Sequence, residues 1–120
     1  MSINANYYVI AGFDLTNYKT DKYEDWRWTD EGEQYTCYQR KGHIQLFDDP
    51  MMSKHLYFGY VLGAGDEFEF KTVKFDIVEI EGLMLNVLEK LRYLKDVGVI
   101  DEELDEYGLT YEVIVFEEDT

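Results

Sequence analysis

The sequence predicts an α+β fold: a mostly antiparallel sheet of about five to six strands with one long amphipathic helix packed on one face. Two observations carry that prediction. Ile77, Ile80, Met84, Val87, Leu91 and Leu94 recur at steps of three and four, and Leu83 and Leu88 widen the stripe. Before and after this helical period stand short runs rich in β-branched and aromatic residues, separated by turn-forming residues. The order is therefore strands, one dominant helix, then a last strand.

Tyr7 to Leu15, YYVIAGFDL, is nearly continuous in apolar character, which predicts a central strand rather than an edge. Thr16 to Glu33 then turns polar and acidic while keeping Tyr18, Tyr23, Trp26 and Trp28. The two Trp fit either core anchors under a long loop or an exposed aromatic contact surface, and burial of such large rings is the preferred reading. Gln34 to Gln39 and His43 to Phe47 read as a hairpin around the turn Gln39-Arg40-Lys41-Gly42, ended by Asp48-Asp49-Pro50 because Pro50 has no N–H for a ladder. Leu56 to Leu62 is a further strand in which Gly59 suggests a bulge or a close backbone approach. A turn at Gly63-Ala64-Gly65-Asp66 leads into Glu67 to Phe75, whose alternation turns Phe68 and Phe70 inward.

Two starts fit the helix. Asp76 with Glu79 makes a capping-box-like beginning, whereas Gly82, costing about 1 kcal/mol inside a helix, fits a later one with Val73, Phe75 and Ile77 extending the preceding strand. Gly98 suits the left-handed position that closes a helix. Beyond it, Asp101 is expected to cap a short helical turn that buries Leu104 and Tyr107 and stops at Gly108. Tyr111 to Phe116 is the terminal strand, followed by the acids Glu117, Glu118 and Asp119.

At 120 residues and 46% hydrophobic, the chain is expected to form a single domain over 1–120. An aromatic content of 17% is the opposite of a disordered composition. One cysteine, Cys37, cannot form an internal disulfide and suits a reducing cytoplasm. MSINANYYVIAG has no basic n-region, so no signal peptide is expected, and no run is long enough to span a bilayer. With 26 acidic against 11 basic residues the formal net charge is -15, which disfavours direct contact with nucleic acid or anionic membrane and favours a basic protein surface as partner.

Motifs for chemistry are absent. His43 and His55 lack the spacing of zinc ligands, so neither metal nor cofactor is expected. Cys37 with a nearby histidine has no oxyanion-hole motif beside it. Asp48 and Asp49 are neighbours that point to opposite faces of an extended chain. Gly63-Ala64-Gly65-Asp66 lacks the third glycine and the following helix of a dinucleotide loop. No nucleophile, base and orienter can be named together, and the expectation is a protein that is not an enzyme.

The distribution of acids is more informative. From Asp96 onward there are ten Asp or Glu and no Lys or Arg, and five of the six residues from Asp101 to Glu106 are acids. If helical, that run spaces its charges much as a DNA duplex spaces phosphates, one per about 1.7 Å of axis. By composition, size and this run, the chain resembles the small acidic DNA-mimic proteins that phages use against restriction or CRISPR effectors. Its run YYVIAGFDLT and its aromatic-rich, single-proline character are also similar to accessory proteins of temperate phages of Gram-positive hosts. The lysines and arginines interspersed before Asp96 depart from an all-round acidic mimic.

The resemblance implies a non-catalytic inhibitor in the host cytoplasm that occupies a basic, nucleic-acid-binding groove on a defence or nucleic-acid enzyme. Its contact residues would be Asp96, Asp101, Glu102, Glu103, Asp105 and Glu106, joined by Trp26 and Trp28 if the aromatic surface is exposed. The alternative is a structural or self-assembling accessory protein, a homo-oligomer built through a strand edge or the Trp pair.

Overall fold

The computed structural model describes residues 5–36, 41–48, 55–65, 74 and 76–119. Four antiparallel strands, β1 (Ala5–Asp14), β2 (Ile44–Asp48), β3 (Leu56–Gly65) and β4 (Glu112–Asp119), form one sheet in the order β2-β3-β1-β4. The class is α+β, with four strands among the described residues where five to six were expected. β1 is central, as its continuous apolar run requires, because both its faces are buried. Val9, Ala11 and Phe13 face one way, toward Leu46, Phe58 and the long helix. Tyr8 and Ile10 face the other, into a cluster with Phe47 and Val61 against which Ile114 and Phe116 pack.

Gly12 and Gly59 face each other across β1 and β3. A Cβ at Gly12 would stand 2.0 Å from the Phe58 carbonyl oxygen, and one at Gly59 2.4 Å from that of Ala11, so both positions exclude a side chain. The close approach expected at Gly59 is therefore present. The register shift lies elsewhere, between Val9 and Ile10.

The long helix, called α3 here, runs over Ile77–Asp96 and settles the two possible starts in favour of the earlier one. The Asp76 carboxylate accepts the Val78 N–H at 2.8 Å, satisfying a first-turn donor. At the other end Gly98 (φ 86°) donates to the Lys95 carbonyl at 3.1 Å and Val99 to that of Leu94 at 3.2 Å, the paired bonds of a Schellman ending, with Val99 and Leu94 both buried. Ile80, Met84, Val87, Leu91 and Leu94 form the buried stripe, while Ile77, which the periodicity placed in it, is exposed. Gly82 sits on the solvent side with nothing near it.

Three expectations are corrected. Gln34 to Thr36 is not strand: it closes a helix, α2 (Asp30–Thr36), which follows a single turn, α1 (Tyr23–Trp26). Thr29 starts α2, its hydroxyl accepting the Gly32 N–H at 3.1 Å, and the acids Asp30, Glu31 and Glu33 complement the helix dipole in the first turn. β2 consequently pairs with β3 rather than with a strand before it. Gly63 to Gly65 is the end of β3, not a turn. The segment from Asp101 to Gly108 is a pair of hydrogen-bonded turns rather than helix, and it buries Leu104 but leaves Tyr107 90% exposed. The expected strand Glu67 to Phe75, apart from Lys74, and Cys37 lie outside the described residues.

Candidate functional site

The acidic end of the chain is held by backbone bonds before any charge is considered. After α3, Ile100 bridges Lys19, Val99 accepts the Thr20 N–H at 3.1 Å, and Asp101 donates its N–H to the Tyr18 carbonyl at 2.8 Å. Two turns follow, each closed by its own leading aspartate. The Asp101 carboxylate accepts the Glu103 N–H at 2.9 Å and the Asp105 carboxylate the Tyr107 N–H at 3.0 Å, the local bonding that favours Asp at turn starts. Leu104 between them inserts into the core. The Lys95 ammonium donates to the Leu104 carbonyl at 2.8 Å, and so ties the loop to the last turn of α3.

Asp96, Asp101, Glu102, Glu103 and Asp105 are exposed, and among the described residues none of the five has an ion-pair partner. Glu106 differs. Arg92 grips it in a fork, Nη2 to Oε1 at 2.8 Å and Nε to both oxygens at 3.0 and 3.2 Å, which holds the carboxyl below the usual glutamate range and pushes the guanidinium up. The turns hold five of the six acids that the sequence singled out and take one of them, Glu106, into a structural contact, while Asp96 stands at the end of α3. Because the segment is not helical, the even phosphate-like spacing does not hold.

The two Trp part company. Trp26 is half-buried and belongs to a ring ladder, with Tyr23 at 6.1 Å and Tyr35 at 5.7 Å, and Tyr35 stacks on Tyr93 of α3 at 6.2 Å. Trp28 is exposed and lies under the Arg27 guanidinium, 4.9 Å from its ring centre. Arg27 in turn donates to Asp48 at the end of β2, so Trp28 sits by that end of the sheet's β2 side.

No protein-family model, curated protein or solved structure matches this chain.

Two further features escaped the sequence. Arg27 and Asp48, 13% and 6% exposed, form a desolvated ion pair beside the fully buried Tyr23, whose hydroxyl is driven upward in pKa by burial and then by the Asp48 charge. Twenty-one residues separate the pair, so no spacing rule reveals it. An open groove of about 590 Å³ runs between α2 and α3, lined by Glu31, Gln34, Tyr35, Glu89, Lys90 and Tyr93. Tyr93 donates to Glu31, and that bond pushes its pKa up to about 12, so it remains protonated near neutrality. Among the described residues no three His, Cys, Asp or Glu side chains converge as a metal site would require, and no helix is long and apolar enough to cross a membrane.

Proposed function

We propose that the chain is a non-catalytic binding module whose acidic turns engage a basic groove on a partner protein, one that ordinarily holds nucleic acid. The single observation that carries this reading is the set of five exposed carboxylates, Asp96, Asp101, Glu102, Glu103 and Asp105, to which no cation is paired among the described residues. Carboxylates left in that state attract counter-ions, and a cationic groove that replaces those ions gains affinity and on-rate. The loop is also ordered beforehand. Asp101, Leu104 and Asp105 fix its shape through turn bonds and burial, so little ordering entropy is charged to binding.

Under this reading Arg92 and Lys95 are scaffold rather than neutralisers, since one binds Glu106 and the other a backbone carbonyl. Trp28 is not part of the contact, and Trp26 contributes only to the core. The proposed inhibitor role, that of a phage protein acting in the host cytoplasm against a restriction, CRISPR or other nucleic-acid enzyme, rests on the resemblance of the composition to small acidic DNA mimics. It is tested by competition: fluorescence anisotropy of a labelled duplex on such an enzyme, with this chain titrated in. Displacement that weakens as salt rises and vanishes with Glu102→Lys/Glu103→Lys/Asp105→Lys is the expected result. A duplex that stays bound across a panel of basic nucleic-acid enzymes contradicts the reading.

A further inference from the structure

We infer that the cleft between α2, α3 and the start of β2 binds a small ligand in which a flat heterocyclic ring carries one phosphate, as in a nucleoside monophosphate. The groove between α2 and α3 continues into a second hollow of about 540 Å³, and the two share Gln34, Tyr35 and Lys90. Small-molecule sites commonly measure about 300–1,000 Å³. Three walls are fixed by contacts already made. On α3, Leu83, Asn86 and Lys90 lie at steps of three and four, so one stripe of the helix runs along the hollow. On the sheet side the Gly42 N–H donates to the Val61 carbonyl and the Val61 N–H to that of His43, both at 2.9 Å, and Ile44 pairs with Tyr60. At the end of α2 the Gln34 carbonyl accepts the Gln45 side-chain amide at 3.2 Å, while Tyr35 stacks on Tyr93.

Charge and side-chain chemistry decide the occupant. The chain carries 26 acids, and Glu31 and Glu89 line the first groove, yet among the described residues no acid lines the second. Its cation is Lys90, and the sheet wall adds the His43 imidazole. The local sign is therefore opposite to the net charge of -15, and one anionic group finds a counter-charge there. Tyr35, Ile44, Tyr60 and Leu83 supply the apolar and aromatic surface that a flat ring covers. Gln34 and Asn86 add side-chain amides, which donate and accept at once and so match a ring edge where a donor adjoins an acceptor. A nucleobase has such an edge. A polynucleotide fits less well, because Glu31 and Glu89 in the adjoining groove repel a second phosphate.

The cleft stands or falls without the acidic turns, none of whose residues lines it. Its test uses the full chain with adenosine and uridine monophosphates, the matching nucleosides and ribose phosphate, read by calorimetry and by amide chemical shifts. At least one nucleotide is expected to bind about tenfold tighter than its nucleoside and than ribose phosphate, with shifts at Tyr35, Ile44, Leu83, Asn86 and Lys90. Lys90→Met is expected to bring that nucleotide down to the level of its nucleoside, and Asn86→Ala to weaken both alike. Both side chains are exposed, so the unfolding midpoints of the variants are expected to match the wild type. A nucleoside or ribose phosphate that binds as tightly as the nucleotide overturns the proposal, as does nucleotide binding indifferent to Lys90→Met. Nucleotides that do not bind, or that leave the amides of the cleft unmoved, overturn it as well.

Discussion

Replacing Arg27 by Met removes one half of a desolvated ion pair and leaves the Asp48 carboxylate, 6% exposed, with no cation beside it. The methionine stem fills much of the space of the arginine, so the change isolates charge from packing. Removing one partner of such a pair costs about 3–5 kcal/mol, against about 0–1 kcal/mol for a pair in water. Arg27 is only 13% exposed, which puts it nearer the first regime, and lost contact of its guanidinium with the Trp28 ring adds a smaller amount. Total stability of such a domain is about 5–15 kcal/mol, so the variant is expected to lose a large share of it and to melt about 10 °C lower or more. Arg27 Nε is buried with no acceptor, so the native pair is not fully satisfied. The double replacement Arg27→Met/Asp48→Leu is therefore expected to recover most of the loss, because it strands no charge. Urea unfolding of the wild type, both singles and the double gives the cycle directly. A loss under about 1 kcal/mol in Arg27→Met refutes the burial argument, and a double variant no better than the single refutes the stranded-charge explanation.

Leu91→Ala, at the centre of the α3 stripe and fully buried, is expected to cost about 2–5 kcal/mol in the same unfolding assay. Gly12→Ala is expected to disrupt the β1–β3 pairing, because its Cβ would meet the Phe58 carbonyl oxygen at 2.0 Å; loss of amide protection across both strands is the readout. Tyr93 is expected to titrate at about 12 in ultraviolet absorbance, and Glu31→Gln is expected to bring it down toward the ordinary value of about 10. The sign follows from linkage. A phenol with a raised folded pKa stabilises fully below about pH 10, and that contribution disappears as pH climbs toward 12, so Glu31→Gln is expected to flatten the alkaline limb of the stability profile.

Much of the fold was legible because local and global signals agree in β1, β3, α3 and β4. Helical period, the Asp76 cap and the Gly98 ending all point to one helix, and the structure places both ends where those residues put them. Ile77 fits the same period yet is exposed, since it lies in the first turn, where the face over the sheet begins only at Ile80. α2 escapes the sequence for a physical reason: Tyr35 and Thr36 have strand-like propensity, and the decisive signal is the cap at Thr29 with its acidic first turn, which the aromatic content of the preceding segment masks.

The acidic site was legible as composition and not as shape. Asp101 and Asp105 use their carboxylates to close turns, which propensity allows for as readily as a helix cap, and tertiary bonds to Tyr18 and Lys95 decide between them. That Glu106 alone is countered depends on Arg92 fourteen residues earlier, a separation with no helical periodicity to betray it. Trp26 and Trp28, two apart in sequence, read as a pair, yet one enters the ring ladder and the other meets Arg27.

The exposed acids at the end of α3 and in the turns after it, rather than the overall negative charge, attract a cation-bearing partner. Amide chemical-shift mapping of the full chain titrated with a lysine homopeptide, repeated as salt is raised, reads this out residue by residue. Shifts are expected to concentrate at Asp96 and from Asp101 to Asp105 and to fade as the Debye length contracts, with Glu106 and Arg92 little changed. Shifts spread evenly over every exposed carboxylate, including Glu24, Asp25 and Glu79 on the other elements, contradict it.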